Sequence, residues 1–133
     1  MTIKTYNGQK ADFYIQAKGL HAGRPMKNPI PNCFAVNTEV ENAFEVVSSL
    51  WIGQSFKYYI GGSCCPFIRI GDVKRIVIPA IESSYQVETK QLKTIELIDK
   101  NIEILEKKIK LMQELKQATA KSINQKLILC QRK

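Results

Sequence analysis

No run of about eighteen apolar residues occurs in this chain, and its start, Met1-Thr2-Ile3-Lys4-Thr5, lacks the apolar segment of an export signal. Neither membrane spanning nor secretion is expected, so the protein is read as cytoplasmic. Histidine occurs once, at His21, with no Ser or Cys placed to work with it, so His21 is read as a hydrogen-bonding loop residue. The four cysteines, Cys33, Cys64, Cys65 and Cys130, lack the paired spacing of a zinc site, and adjacent Cys64 and Cys65 do not bridge each other without strain. They are read as reduced thiols, with no metal. Gly61-Gly62-Ser63 is not followed by Gly-Lys, which leaves a turn and not a phosphate-cradling loop. Without a carboxylate pair or a nucleophile set, neither an enzymatic activity nor a cofactor is expected. Proline and glycine are also missing between Gln86 and Lys133, so nothing there stops a helix.

What that last stretch does contain is a heptad pattern. Ile95, Ile98, Ile102, Leu105, Ile109 and Met112 recur at alternating spacings of three and four, the seam of a coiled coil. The pairs Glu96/Lys100, Glu103/Lys107 and Glu106/Lys110 sit four apart in the favourable order. Ser83 with Gln86 fits a capping box at the start. About forty helical residues make a rod of roughly 60 Å, too long for the preceding residues to cover. A second helix is therefore expected along the seam, and the simplest source is another copy, giving a homodimer. After Met112 the repeat blurs, because Leu115 follows three residues later and Lys116, Thr119 and Gln125 interrupt it.

Residues 1–82 are left as one small α+β domain, and residues 83–133 as the helix. Ile3 to Tyr6 and Phe13 to Ala17 read as strands separated by the turn Asn7-Gly8, either a hairpin or two successive edge strands. Residues 19–32 hold two glycines, three prolines, His21, Arg24 and Lys27, the composition of a shaped surface loop. Cys33 to Val36 reads as a buried strand. Thr38 with Glu41 suggests a capping box opening a helix that ends near Ile52, with Gly53 as its stop and Trp51 in the core. Phe56, Tyr58 and Ile60 alternate with Lys57 and Tyr59 as a strand would, and Tyr58 or Tyr59 either packs across it or stacks on a base. Pro66 to Ile70 reads as a strand, Asp72 as the N-cap of one helical turn, and Ile76-Val77-Ile78-Pro79 as a further strand.

The net charge is +8 and the isoelectric point near 9.4. Basic residues outnumber acidic ones 9 to 6 in residues 1–85 and 11 to 6 in residues 86–133. An acidic partner suits that excess, with nucleic acid first. Arg24, Lys27, Lys57, Arg69, Lys74 and Arg75 are the candidate DNA contacts; otherwise they only solubilise the domain.

From Gly61 to about Ile123 the order is a glycine turn, a strand, Ile70-Gly71-Asp72-Val73-Lys74-Arg75-Ile76, the Ile76–Pro79 segment and a long charged helix. It resembles the end of a target-recognition domain with its spacer helix in the specificity subunits of type I restriction-modification systems. The resemblance implies a domain reading DNA in the major groove and spacer helices paired in an antiparallel coiled coil. It also implies methyltransferase subunits docking on that coil. A specificity subunit carries two such repeats and this chain one, which implies a half-subunit pairing with itself. In that family the base-contacting residues lie on variable loops, so no base-reading residue carries over. Residues 19–25 with Asn32-Cys33-Phe34, and Pro66 to Asp72, are also similar to small uncharacterised proteins from Bacteroidetes genomes. The competing reading is a coiled-coil interaction or decoy protein that shares only the fold.

Overall fold

A computed structural model describes residues 1–84 and 89–131 and shows a mixed α+β chain. Two compact units result, Met1–Leu92 and Lys93–Lys133. In the first, the head, strands β1 (Thr2–Thr5), β2 (Phe13–Gln16), β3 (Pro25–Met26) and β4 (Cys33–Asn37) form one antiparallel sheet in the order β1-β4-β2-β3. The Asn7-Gly8 turn therefore does not close a hairpin: β1 is an edge strand paired with β4, and β2 lies inside the sheet.

Both faces of this sheet are covered, which is why β2 is buried at every position. On one face Ile3, Phe13, Ile15, Phe34 and Val36 point into the main core. On the other, Tyr14, Cys33 and Ala35 lie under Tyr6, Ala11, Met26 and Ile30 from the loops. The Tyr14 hydroxyl accepts the Ala11 N–H at 3.2 Å, and its ring meets Tyr6 edge-on at 5.4 Å. Burial pushes the Cys33 thiol above its ordinary range, against the opposing pull of a hydrogen bond with the Ile30 backbone. Cys64, Cys65 and Cys130 are exposed. Alkylation of the native protein at neutral pH is expected to modify those three and spare Cys33 until the chain is unfolded, as read by intact mass. A fourth adduct on the native chain would mean that this face opens.

Two helices cover the main core. Helix α1 (Ala43–Ile52) buries Ala43, Val46 and Val47 and ends at Gly53. It starts later than Thr38/Glu41 suggested. Asn42 is the N-cap and makes no side-chain bond, while the Thr38 hydroxyl accepts the Val40 N–H in a local turn. Helix α2 (Ile70–Ser83) replaces the expected Ile76–Pro79 strand. Val73, Val77 and Ile81 recur every four residues and are all buried, a helical period that the β-branched run Ile76-Val77-Ile78 disguises. Pro79 sits inside the helix, where its ring removes one backbone bond, and the buried stripe carries the helix past it. Asp72 is in the first turn and not the N-cap, which is Arg69 in extended conformation.

Phe56 to Ile60 is not a strand either. Gln54, in the left-handed region at φ 59°, redirects the chain into a 3-10 turn over Lys57–Tyr59. Only Phe56 is buried there, so the alternation of aromatics reflected no strand face. Helix α3 (Thr89–Gln131) is the long charged helix, 43 residues without interruption. Ser83 is the last residue of α2, and its expected capping partner Gln86 lies outside the described residues. Leu92, near the start of α3, is buried in the main core of the head.

Candidate functional site

The sheet register gives the head two ends. β2 leaves Asp12 and arrives at Lys18. β4 runs the other way, so Asn37 and Thr38 return to Asp12, whose carboxylate accepts the Thr38 N–H at 2.8 Å. α1 begins at that end, where Ala43 and Phe44 line a groove with Asp12, Thr38 and Glu39. It finishes at the opposite end, with Trp51 edge-on to His21 at 6.2 Å. α2 runs back. The Ile68 N–H donates to the Ala17 carbonyl at 2.9 Å, which sets Arg69 and the start of α2 beside the end of β2. Its last turn, Ile81 and Glu82, joins Met1, Asp12, Asn37 and Glu39 around a groove of about 730 Å3.

Charge follows this geometry. Asp12, Glu39, Glu41, Glu45 and Glu82, five of the six acidic residues before residue 85, belong to the Asp12 end. Lys18, Arg24, Lys57 and Arg69 belong to the other end, and Lys74 and Arg75 follow in the first half of α2. The sole acid among them is Asp72, with its carboxylate 3.9 Å from the Arg75 guanidinium. Arg75 is exposed and Asp72 half-buried, and at that distance the pair holds little energy.

The fold thus brings together five of the six expected cationic contacts, Arg24, Lys57, Arg69, Lys74 and Arg75, and sets the sixth apart. Lys27 lies beyond β3 with its ammonium 5.6 Å from the centre of the Phe44 ring, a cation–π contact at the start of α1. Lys18 joins the basic end in its place. Its sequence signal was modest: a lysine between a strand and a glycine turn, in the loop that also carries Arg24.

Beside this basic end lies a groove of about 540 Å3 lined by Leu20, Ala22, Trp51, Ile52, Phe56 and Ile60, with Gln54 and Lys57 as its polar members. Gly23 makes it possible. At φ +92° it occupies the left-handed region, and a Cβ there would come within 2.9 Å of the Phe56 ring. Two side chains at this end are strongly exposed for their type, Leu20 at 87% and Tyr58 at 93%.

On α3 the seam residues Ile98, Ile102, Leu105, Ile109 and Met112 are exposed in the single chain and Ile95 is half-buried. The ammonium of Lys100 meets Glu96 at 2.7 Å and that of Lys107 meets Glu103 at 2.6 Å, while the pair Glu106/Lys110 stays open. Lys107 holds the Glu103 carboxyl below its usual range, by the hydrogen bond first and its charge second. A second apolar line escaped the heptad reading: Leu97, Ile104 and Leu111, seven apart and all exposed. Each stands one residue before a seam position in the sequence, about 100° around the helix from it. Leu115, Ile123, Leu127, Ile128 and Leu129 extend the exposed apolar surface along the distal half.

Among the described residues no cluster of His, Cys, Asp or Glu is arranged to hold a metal ion, and no helix is long and apolar enough to cross a membrane. None of the curated proteins and none of the solved structures matches the chain. A family model covers most of it, residues 3–122, and on that match the chain belongs to a family of unknown function (DUF6943).

Proposed function

We propose that this protein is a DNA-binding module of the cytoplasm, a homodimer joined through α3 that presents the basic end of its head to the phosphate backbone. The segregation of charge on the head carries the reading. Lys18, Arg24, Lys57 and Arg69 stand at one end, with Lys74 and Arg75 following in the first half of α2, while five carboxylates are held at the other, where Lys10 is the cation nearest Asp12 in sequence. That arrangement creates a field which orients a polyanion before contact. Mixed in space, the same side chains would favour no partner. The role is binding without catalysis.

The restriction-modification form of the proposal is a half-subunit that pairs with itself and delivers a methyltransferase subunit to DNA. It is supported by one head joined to one long helix, the organisation of a single specificity repeat. Its support narrows at residues 76–79, where the strand that took part in the resemblance is a turn of α2. Near-equal recovery of a methyltransferase subunit with the tagged protein from its native cytoplasm would favour this form, and recovery of the protein alone would remove it.

DNA binding itself is tested by fluorescence anisotropy of a labelled duplex across a salt series. Six contacts at about 0.9 per phosphate give a slope of log affinity against log salt near −5 for each head. Affinity is expected to fall by roughly three orders of magnitude between 50 and 200 mM salt. Absence of binding at low salt, or binding indifferent to salt, would overturn the proposal. The second of these outcomes favours the other reading, a coiled-coil interaction protein, for which the exposed apolar length of α3 is the supporting observation.

A further inference from the structure

We infer that the groove beside the basic end receives an unpaired base of a DNA strand, a thymine by preference, so that the head favours single-stranded or locally opened DNA over closed duplex. This inference rests on the DNA-binding reading and adds the form of the ligand.

The groove has three properties that a base needs and a phosphate does not. Its wall is apolar, with half-buried Trp51 as the accessible aromatic side chain and buried Phe56 behind it, and every nucleobase offers a flat π face to such a surface. Its volume of about 540 Å3 falls within the roughly 300–1,000 Å3 of small-molecule sites. A base that lays its face on such a wall has to leave the stack first, at a cost of unstacking that single strands largely escape. The third property is its surroundings. Lys57 is both a lining residue and a member of the basic end, so a base in the groove has its own phosphate within the cationic field.

Charge complementarity separates this occupant from an apolar peptide. An apolar helix or strand docking here would place its backbone against Lys57 with Arg24 and Arg69 at the same end, and it carries no charge to answer theirs. A nucleotide answers both, with the ring to the groove and the phosphate to the cations. Thymine is favoured because the lining offers mostly hydrocarbon, Leu20, Ala22, Ile52 and Ile60, which suits its methyl group, and few polar groups to read a base edge. The strong exposure of Leu20 and Tyr58 belongs to the same design: each is a large apolar surface kept in water in the free protein. Tyr58 shares its 3-10 turn with Lys57, next to the groove, and offers a second stacking surface for a neighbouring base.

The test uses Trp51, the chain's single tryptophan, as a reporter built into the groove wall. The full-length protein is titrated with oligo(dT) and with an abasic strand of equal length, which carries the same phosphates and no bases. Oligo(dT) is expected to shift or quench Trp51 emission and to bind about tenfold tighter than the abasic strand, the worth of one stacked base. Tyr58→Ala and Leu20→Ala, both at exposed positions that leave the core untouched, are expected to shrink that advantage several-fold while abasic binding holds. Equal affinity for the two strands with unchanged emission would overturn the inference and leave the DNA-binding reading standing. Failure of both strands to bind would overturn the inference and the DNA-binding reading together. Tighter binding of oligo(rU) would assign the groove to RNA and so overturn it as stated.

Discussion

If α3 pairs with a second copy as proposed, replacing Ile102 and Ile109 together by Asp is expected to leave a monomer with its head folded. In the single chain Ile102 is 48% exposed and Ile109 55%, surface that a helix in water retains only at a cost. The heptad spacing lines them up with Ile98, Leu105 and Met112, so one partner helix covers all five. An Asp in that seam places an unpaired carboxylate among apolar side chains, a penalty of several kcal/mol for each that a paired structure avoids by separating. Two such penalties on each chain exceed what a modest coiled coil supplies, so a loss of at least a thousandfold in self-association is expected. Sedimentation velocity reads the mass, and near-ultraviolet circular dichroism around Trp51 reads the head, whose core includes Leu92 of α3. Helix content is expected to fall too, because a 43-residue helix without a partner is held by little beyond its own propensity and its i,i+4 pairs. A variant that remained dimeric would show that pairing runs along another surface, and the line Leu97, Ile104 and Leu111 is then the first place to look.

That second line shows why the sequence was legible in some places and not in others. A seam is read by spacing within one heptad frame, and Ile95 to Met112 fill that frame without the three residues one step away. β2 and β4 were legible because their apolar residues are short, bounded by turn signals and buried, with nothing competing. The Gly53 stop of α1 was legible for a similar local reason. Its start was not: Thr38 and Glu41 have the spacing of a capping box, and the chain spends Thr38 on a turn before the helix begins. Residues 76–79 failed for a different cause. Three β-branched residues and a proline fit a closing strand, and only Val73 and Ile81 on either side reveal the four-residue period. The basic end could not be read along the chain at all. Arg24 and Arg69 come to the same end because Ala17, just after β2, accepts the N–H of Ile68, two residues before α2, a pairing with no local signal in either segment.

That same topology decides the second large effect. Reversing Arg69, Lys74 and Arg75 to Glu is expected to weaken binding to DNA by more than a hundredfold at 100 mM salt. The salt slope should drop by nearly three, about 0.9 for each phosphate contact removed. The stability of the head should change little. All three residues are exposed, Arg69 is a cap residue without a side-chain cap bond, and the Arg75–Asp72 pair is long. Acidic residues also suit the first turns of α2, since they face the positive end of its dipole. The informative control is Lys27→Glu. Lys27 is one of the same six cationic candidates and changes the net charge by the same amount per site, but it sits over Phe44 away from the basic end. If binding depends on net charge alone, Lys27→Glu costs one third of the triple variant's loss on a logarithmic scale. If it depends on where the fold puts the charge, Lys27→Glu costs about twofold or less, because its distance from the bound phosphates leaves only screened attraction to lose. Anisotropy titrations of the two variants at matched salt separate these outcomes. A Lys27→Glu loss as large as that of any one α2 position would put the DNA somewhere other than the basic end.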